Sequence, residues 1–322
     1  MRSFTVWCER HTPRRLLRGA WSLALLVAGI LACVRLAAPQ EWRQGLAIGA
    51  EVGAPLVVLL LLPAVSNFVK MLGWRALLPA PARPSLPSAY GAFVAAQAGN
   101  ELGVSLLGEP LKVLVLPRRE RAAGLLVVVA DNLIAFAALF AVLGTLAPYS
   151  GPFIRTPRLG STALAVAGAA LVLLLLAVVV VARRSAWRQK LTLARELVLQ
   201  RPGAVAFAFT AHYLGKLWLV VEIGLGLSLL GLPALAASAP LSFAWTSAAT
   251  LGAAVPGQLG VVEAALVQGG ASLGLNVPAL LTLALVRRLR ACVWLALGLI
   301  LAVRIATARP TEEAPHDPTP AS

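Results

Sequence analysis

Charged residues are scarce in this chain, and their scarcity excludes most soluble folds. Asp, Glu, Lys and Arg make up 13% of the 322 residues, whereas 59% are apolar and the mean hydropathy is +0.83. A soluble domain carries about 25% charged residues. Residues 161–182 contain no charged side chain and are long enough to cross a bilayer. The composition therefore predicts an integral membrane protein without a large soluble domain.

Cysteine is also scarce, and recognisable catalytic motifs are lacking. The three cysteines, Cys8, Cys33 and Cys292, lie far apart in the sequence and predict neither a disulfide framework nor a metal site. We find no phosphate-binding loop, no metal-ligand spacing and no Ser-His-Asp arrangement. The sequence therefore predicts no catalytic residue, no metal and no cofactor. A membrane active site made of Glu and Asp needs no such motif, so a lipid transferase remains the alternative.

Acidic residues are outnumbered by basic ones, 13 to 28, which gives a net charge of +15. Nucleic acid is not the expected partner, because the basic residues cluster at the ends of apolar segments, as in cytoplasmic loops of membrane proteins. The richest zones are the first 18 residues and residues 70–83, 112–121 and 183–201. The positive-inside rule then predicts a protein of the plasma (inner) membrane, with both termini cytoplasmic and residues 148–160 outside.

Long apolar segments predict about six transmembrane helices, at residues 19–37, 46–66, 122–147, 161–182, 204–231 and 278–305. The first apolar segment is long and no small-residue cleavage site follows it, so we interpret it as a retained helix rather than a signal peptide. Residues 309–322 are rich in proline and polar residues and are expected to be disordered. The remaining residues, 1–308, are expected to form one all-α, polytopic membrane domain.

Two further apolar stretches, residues 88–116 and 234–275, are interrupted by Gly, Pro, Asn and acidic residues. Irregular backbone is not tolerated in contact with lipid, so such stretches belong inside the protein or around a wet cavity. We predict two re-entrant hairpins, the first entering from the cytoplasmic side and the second from the opposite side. Ordinary helices with a few breakers are the alternative.

The two broken stretches share a layout that predicts an inverted repeat. In the first, Gly103, Gly108 and Glu109 precede a helix with Asp131, and in the second, Gly257, Gly260 and Glu263 precede a helix with Arg287. Glu109 precedes Asp131 by 22 residues, and Glu263 precedes Arg287 by 24. The repeats would span about 85–147 and 234–305, and would place both charges near the midplane, where transporters with such repeats bind substrate.

Three arginines interrupt the last apolar segment, "LLTLALVRRLRACVWLALGLILAVR". Arg287 and Arg290 are three residues apart and therefore share one helix face. Charges inside a membrane are costly and usually pair or line a pathway. The acids expected to meet the arginines are Glu109, Asp131, Glu222 and Glu263, and Lys216 adds a further charge at helix depth. His212 is expected to be interfacial or packed, and ion pairs that only fix packing are the structural alternative.

Two pairs of motifs resemble a known family. "GNELGVSLLGEPLKVLVL" followed by "VVVADNLIAF", and "VPGQLGVVEAALVQGG" followed by "ALVRRLRACVWLALGLILA", are similar to the flippase-like membrane domain of lysylphosphatidylglycerol synthases. Stand-alone relatives of that domain include members that accompany hopanoid synthesis or glycosyltransferases. The resemblance spans about residues 20–305, and the aminoacyl-transfer domain of some members is absent from this sequence. Positions central to the family are matched by Glu109, Pro256, Gly257, Gly260, Glu263 and Arg287.

The match departs from the family pattern at two positions. Lys112 stands where the family usually has Arg after Gly-Glu, and Asn132 stands where a second Arg often follows the acid. Lys and Arg differ in bidentate phosphate recognition, so the headgroup preference does not follow from the resemblance.

Taken with the resemblance, the charges predict a protein that translocates or presents an anionic lipid or lipid-linked intermediate between leaflets. We expect Arg287, Arg288 and Lys112 to contact the headgroup phosphate.

An enzyme of lipid or glycan synthesis is a candidate partner, and the sequence indicates no oligomeric state. A non-transporting partner subunit of a lipid-modifying enzyme is a third alternative, which a dry, fully packed interior would favour. The predicted site residues are Glu109, Lys112, Asp131, Asn132, Lys216, Glu222, Pro256, Gly257, Gly260, Glu263, Arg287, Arg288 and Arg290.

Overall fold

A computed structural model describes residues 38–102, 108–151, 200–251, 258 and 260–307, and the regular elements in these ranges are helices. The α-helices are α1 (Pro39–Val52), α2 (Pro55–Leu61), α3 (Pro63–Leu77), α4 (Leu86–Leu102), α5 (Arg121–Leu146), α6 (Pro202–Leu229), α7 (Ala234–Leu251), α8 (Val261–Ser272) and α9 (Val277–Thr307). Short 3-10 helices occupy Ala80–Ala82, Glu109–Val115, Arg118–Glu120 and Ala147–Ser150. The predicted segments 19–37 and 161–182 and the tail 309–322 lie outside the described residues.

Three described helical segments are long and apolar enough to cross a membrane, namely Pro55–Leu77, Arg118–Ser150 and Pro202–Leu229. Arg118–Ser150 includes the predicted segment 122–147, and Pro202–Leu229 contains all but the last two residues of the predicted segment 204–231. The predicted segment 46–66 has the wrong bounds, because α1 continues to Val52 and ends at Gly53, whose φ of +59° suits glycine. The spanning segment instead begins at Pro55 and runs eleven residues past the predicted end, to Leu77.

A proline interrupts this spanning segment between α2 and α3. Pro63 has no N–H to donate, so it interrupts the regular backbone hydrogen bonding at the start of α3. Trp218 Nε1 on α6 donates to the Leu62 carbonyl at 3.1 Å, and Trp294 Nε1 on α9 donates to the Leu60 carbonyl at 2.8 Å. Two indoles from other helices thereby satisfy backbone groups at the break, as lipid burial requires.

The arginines of the last segment lie within one continuous helix. Helix α9 has 31 residues, and Arg287, Arg288 and Arg290 lie ahead of its midpoint and close to it. At about 1.5 Å per residue it is roughly 46 Å long, more than the ~30 Å hydrocarbon core. The helix therefore carries these charges within its length instead of ending at them.

Both broken stretches fold back on themselves. In the first, the 3-10 helix Glu109–Val115 packs against α4, and a Cβ atom on Gly108 would lie 1.9 Å from the Ala96 carbonyl oxygen. Only a glycine permits this approach of two backbone segments. In the second stretch, α8 packs against α7. The connecting residues 103–107 and 252–257 are outside the described part of the chain.

The remaining helices pack around two groups of buried apolar side chains. Helix α6 contacts α3 and α5, and α9 contacts α1 and α4. Close approach of α3 to α6 depends on Gly73, where a Cβ atom would lie 3.1 Å from that of Ala211. Many large apolar side chains remain exposed, among them Leu61, Ile300 and Val303. Such an exposed apolar surface fits a lipid environment and not water.

The predicted topology is testable by cysteine labelling in intact cells, in a background without the three native cysteines. Tyr149 is 64% exposed whereas its neighbour Ser150 is fully buried, so position 149 is the accessible one. We expect a membrane-impermeant thiol reagent to label Tyr149→Cys from outside. Ser185→Cys, in the basic zone 183–201, should be labelled only after the membrane is permeabilised. Equal labelling of the two positions in intact cells would contradict both the orientation and the inverted repeat.

Candidate functional site

Four buried titratable side chains form the first polar cluster, here called the Lys112 cluster (Glu109, Lys112, Asp131 and His212). Lys112 Nζ lies 2.6 Å from Glu109 Oε2 and 3.1 Å from Asp131 Oδ2. The other Asp131 oxygen, Oδ1, lies 2.7 Å from His212 Nε2. All four residues are at most 5% exposed. The cluster joins the 3-10 helix Glu109–Val115 to α5 and α6.

Neighbouring polar groups complete the hydrogen bonding of this cluster. Asn100 Nδ2 on α4 donates to Glu109 Oε1 at 2.8 Å, while its Oδ1 accepts the Gly108 N–H at 2.8 Å. The amide of Asn132 approaches Glu109 Oε2 at 3.5 Å. Lys112 Nζ also lies 4.7 Å from the centre of the Phe93 ring. Lys112 is therefore enclosed between two carboxylates and an aromatic ring.

A second group, the Arg287 cluster (Glu263, Arg287 and Arg288), joins α8 to α9. Glu263 Oε1 accepts hydrogen bonds from Arg287 NH1 at 2.5 Å and from Arg288 NH2. Glu263 Oε2 accepts the Gly260 N–H at 3.0 Å, at a position where φ is +78° and glycine is favoured. Of the four acids expected to meet the arginines, the structure places Glu263 beside Arg287, whereas Asp131 belongs to the Lys112 cluster.

The third polar contact is an ion pair between α6 and α9, beside the indole ring of Trp245. Arg290 NH1 lies 2.5 Å from Glu222 Oε2 on α6. The guanidinium groups of Arg287 and Arg290 lie over the same Trp245 ring, 4.8 and 5.4 Å from its centre. Arg287 and Arg290 therefore share a helix face, as their spacing predicted, but pair with different acids.

A cavity of about 420 Å³ lies among α3, α4, α5, α6, α7 and α9. Four of the predicted site residues line it, namely Lys216, Glu222, Arg287 and Arg290. Glu109, Lys112, Asp131, Asn132, Gly260, Glu263 and Arg288 are not among its lining residues, and Pro256 and Gly257 lie outside the described residues. Of the three expected headgroup partners, the structure thus places Arg287 on the cavity wall.

Sequence reasoning missed several polar residues of the cavity wall: Asn67, Lys70, Gln97, Glu101 and Trp245. Lys70 was assigned to a basic loop because the apolar segment was predicted to end at residue 66. The structure places it within the spanning segment Pro55–Leu77, in the apolar context "FVKML". A later segment boundary would have identified Lys70 as an intramembrane charge. No sequence pattern identified Trp245 as a site residue, because its ring lies on α7 and meets Arg287 and Arg290 of α9 only in the folded protein.

The arrangement can hold an anion but shows no metal centre. No group of three His, Cys, Asp or Glu residues within the described ranges could hold a metal ion. On the cavity wall, the basic side chains of Lys70, Lys216, Arg287 and Arg290 face the acids Glu101 and Glu222. The wall therefore has a net positive charge within helices that carry few other charges.

Comparison with known families matches most of the chain to one family. The family model described as the lysylphosphatidylglycerol synthase TM region covers residues 19–298. This range includes every predicted site residue and every polar residue named on the cavity wall. Comparisons with curated proteins and with solved structures return no match.

The Lys112 cluster predicts that replacing the buried Lys112 destabilises the protein far more than replacing the exposed Arg119. Lys112→Met would leave the carboxylates of Glu109 and Asp131 buried without their shared cation, which costs about 3–5 kcal/mol. Arg119→Met is the matched control, because Arg119 is exposed and 3.9 Å from Glu120, a pair that contributes below about 1 kcal/mol. Unfolding of both variants in the same detergent measures the difference. Equal stability would show that the buried carboxyls are protonated and that no ion pair exists.

The pair of Glu222 and Arg290 predicts non-additive effects of substitution. Arg290→Met and Glu222→Gln each leave one charge without its partner, while the double variant removes both. We expect the double variant to be more stable than the sum of the single losses implies, by about 0.5–3 kcal/mol. The four proteins of the cycle are compared by unfolding in one detergent. Additive losses would show that the two charges do not interact.

Proposed function

The chain belongs to the lysylphosphatidylglycerol synthase TM region family, and from this membership we propose that it moves an anionic lipid or lipid-linked intermediate between leaflets. The family and the apolar helices establish an integral membrane protein related to lipid handling. The observation that carries the finer proposal is the positively charged cavity enclosed by six helices. A lipid headgroup needs such a polar route, while the acyl chains stay in the bilayer.

The depth of the cavity supports transit of a headgroup. Lys216 is the fifteenth of 28 residues in α6, so it lies near the middle of a helix long enough to span the membrane. Arg290 is the fourteenth of 31 residues in α9. Cations that are already held in place at this depth lower the cost of bringing a phosphate into a poor solvent.

The cavity also weighs against the two alternatives. A partner subunit that only stabilises an enzyme needs no polar interior, yet charged and amide side chains line this cavity. A transferase needs reactive groups where a second substrate reaches them, most simply near an interface. Here Glu222 is already hydrogen-bonded to Arg290, and both lie deep in long helices. Transport is therefore the proposal that accounts for both the charge and its depth.

We propose further that the fold-back stretches are re-entrant hairpins of an inverted repeat in the plasma (inner) membrane, with both termini cytoplasmic. The two halves share a Gly-Glu element that is connected to the following helix by an ion pair. In the first half Lys112 bridges Glu109 and Asp131, and in the second half Glu263 contacts Arg287 directly. An enzyme of lipid or glycan synthesis remains the candidate partner that would supply or consume the lipid.

Transport is tested with purified protein in liposomes that contain a labelled anionic lipid. We expect exchange of the label between leaflets and recovery of the lipid unaltered. Ala249→Trp places a large side chain on the cavity wall and should slow the exchange about tenfold, or about 1.4 kcal/mol in the barrier. Arg287→Ala should slow it as well, because Arg287 borders the same cavity.

The matched control is Ala236→Trp, which adds the same side chain to the exposed face of the same helix, α7. This variant should exchange lipid at the wild-type rate. A chemically changed lipid that is lost in Ala249→Trp would overturn transport in favour of the transferase. Equal slowing by both tryptophans would show that the cavity is not the route.

A further inference from the structure

Two lysines meet on one side of the cavity. Lys70 projects from α3 and Lys216 from α6, and both line the cavity wall. Between them lies Gly215, where a Cβ atom would come within 2.8 Å of the Lys70 side chain. The missing side chain at Gly215 thus leaves space for Lys70 beside Lys216.

These lysines differ from the other cavity cations in having no carboxylate partner within the described part of the chain. Arg287 is bound to Glu263 and Arg290 to Glu222, whereas no described acid lies within ion-pairing distance of Lys70 or Lys216. Glu222 is the acid that attracts Lys70, but it already accepts a short hydrogen bond from Arg290. The connecting segments 103–107 and 252–257 contain no acidic residue.

The charge on the wall indicates how many negative charges a ligand must bring. The four bases on the wall, Lys70, Lys216, Arg287 and Arg290, exceed the two acids, Glu101 and Glu222, by two. Glu263, which pairs with Arg287 from outside the wall, also pairs with Arg288, so including both leaves the excess at two. Unmatched charge is costly in a poorly solvated interior, and the cost falls when an opposite charge binds. A zwitterionic headgroup brings no net charge, and a phosphodiester brings one. A headgroup with two negative charges balances the wall.

We infer that the cavity selects a lipid whose headgroup carries two or more negative charges, a phosphate monoester or a diphosphate, and that Lys70 and Lys216 bind it. This inference rests on the proposed function, since it names the lipid class for the same cavity. Lysine suits the role because its ammonium group is a compact charge with three rotatable donors. A volume of about 420 Å³ is within the range of small-molecule sites and holds a headgroup.

Binding of short-chain lipids to the purified full-length protein tests the inference. Four probes are compared by titration calorimetry in one detergent: dihexanoyl phosphatidate, farnesyl diphosphate, dihexanoyl phosphatidylglycerol and dihexanoyl phosphatidylcholine. We expect the first two to bind at least about tenfold more tightly than phosphatidylglycerol, and phosphatidylcholine to bind most weakly. The ratio between phosphatidate and farnesyl diphosphate distinguishes the monoester from the diphosphate source.

Charge-removing variants identify the lysines as the cause. Lys70→Gln and Lys216→Gln should each bring the affinity for phosphatidate and farnesyl diphosphate down about tenfold, to that of phosphatidylglycerol. Since each variant removes an unpaired charge, neither should melt at a lower temperature than the wild type in lipid-free detergent. Arg119→Gln, which changes an exposed cation outside the cavity, should retain the wild-type preference.

The possible outcomes separate this inference from the transport proposal. Equal affinity of the wild type for phosphatidate and phosphatidylglycerol overturns the inference, even if both lipids exchange between leaflets. A preference for phosphatidate and farnesyl diphosphate that survives in both lysine variants also overturns it. A preference that is lost in Lys70→Gln and Lys216→Gln supports the inference even if no lipid exchanges between leaflets, a result that would overturn transport instead.

Discussion

A charge that is buried among apolar helices must be met by an opposite charge, and this constraint organises the described part of the protein. Desolvation of an unpaired ion costs several kcal/mol, a large fraction of the stability of most proteins. The chain meets the constraint with partners on different elements. Lys112 joins a 3-10 helix to α5, Glu263 joins α8 to α9, and Glu222 joins α6 to α9. Each ion pair therefore also fixes how two helical elements lie against each other.

The same constraint separates structural from ligand-binding charges. The Lys112 cluster is enclosed and internally satisfied, and Asn100, which accepts the Gly108 N–H, donates a further hydrogen bond to Glu109. On the cavity wall, Arg287 and Arg290 are held by carboxylates and by Trp245, so their guanidinium groups are positioned before any ligand arrives. Lys70 and Lys216 are cations for which the described residues provide no ion-pair partner, and they line the cavity. Preorganised and unsatisfied cations together make a site for an anion.

Much of this could be predicted from the sequence, since the relevant signals are local. Apolar length identified α5 and α6 and most of α9, and the cost of intramembrane charge singled out Glu222, Glu263 and Arg287. The pairing itself was not predictable, because four acids were available and the choice among them depends on how the helices pack. Helix packing brought Asp131 to Lys112 and His212. Lys70 was missed because the predicted segment ended at residue 66, whereas α1 ends at Gly53 and the next apolar segment continues from Pro55 to Leu77.

The break at Pro63 has a mechanical consequence for the cavity. Helix α3 begins at this break and forms one wall of the cavity, including Ser66 and Lys70. A change in the angle between α2 and α3 would therefore move that wall as a unit. The indoles of Trp218 and Trp294 donate hydrogen bonds to two carbonyl groups on the α2 side of this break. If α3 moved to widen the cavity, the hydrogen bonds from Trp218 on α6 and Trp294 on α9 would have to move with the break or be lost together. Such a coupling favours an abrupt change between a narrow and a wide cavity over a continuous change in its width.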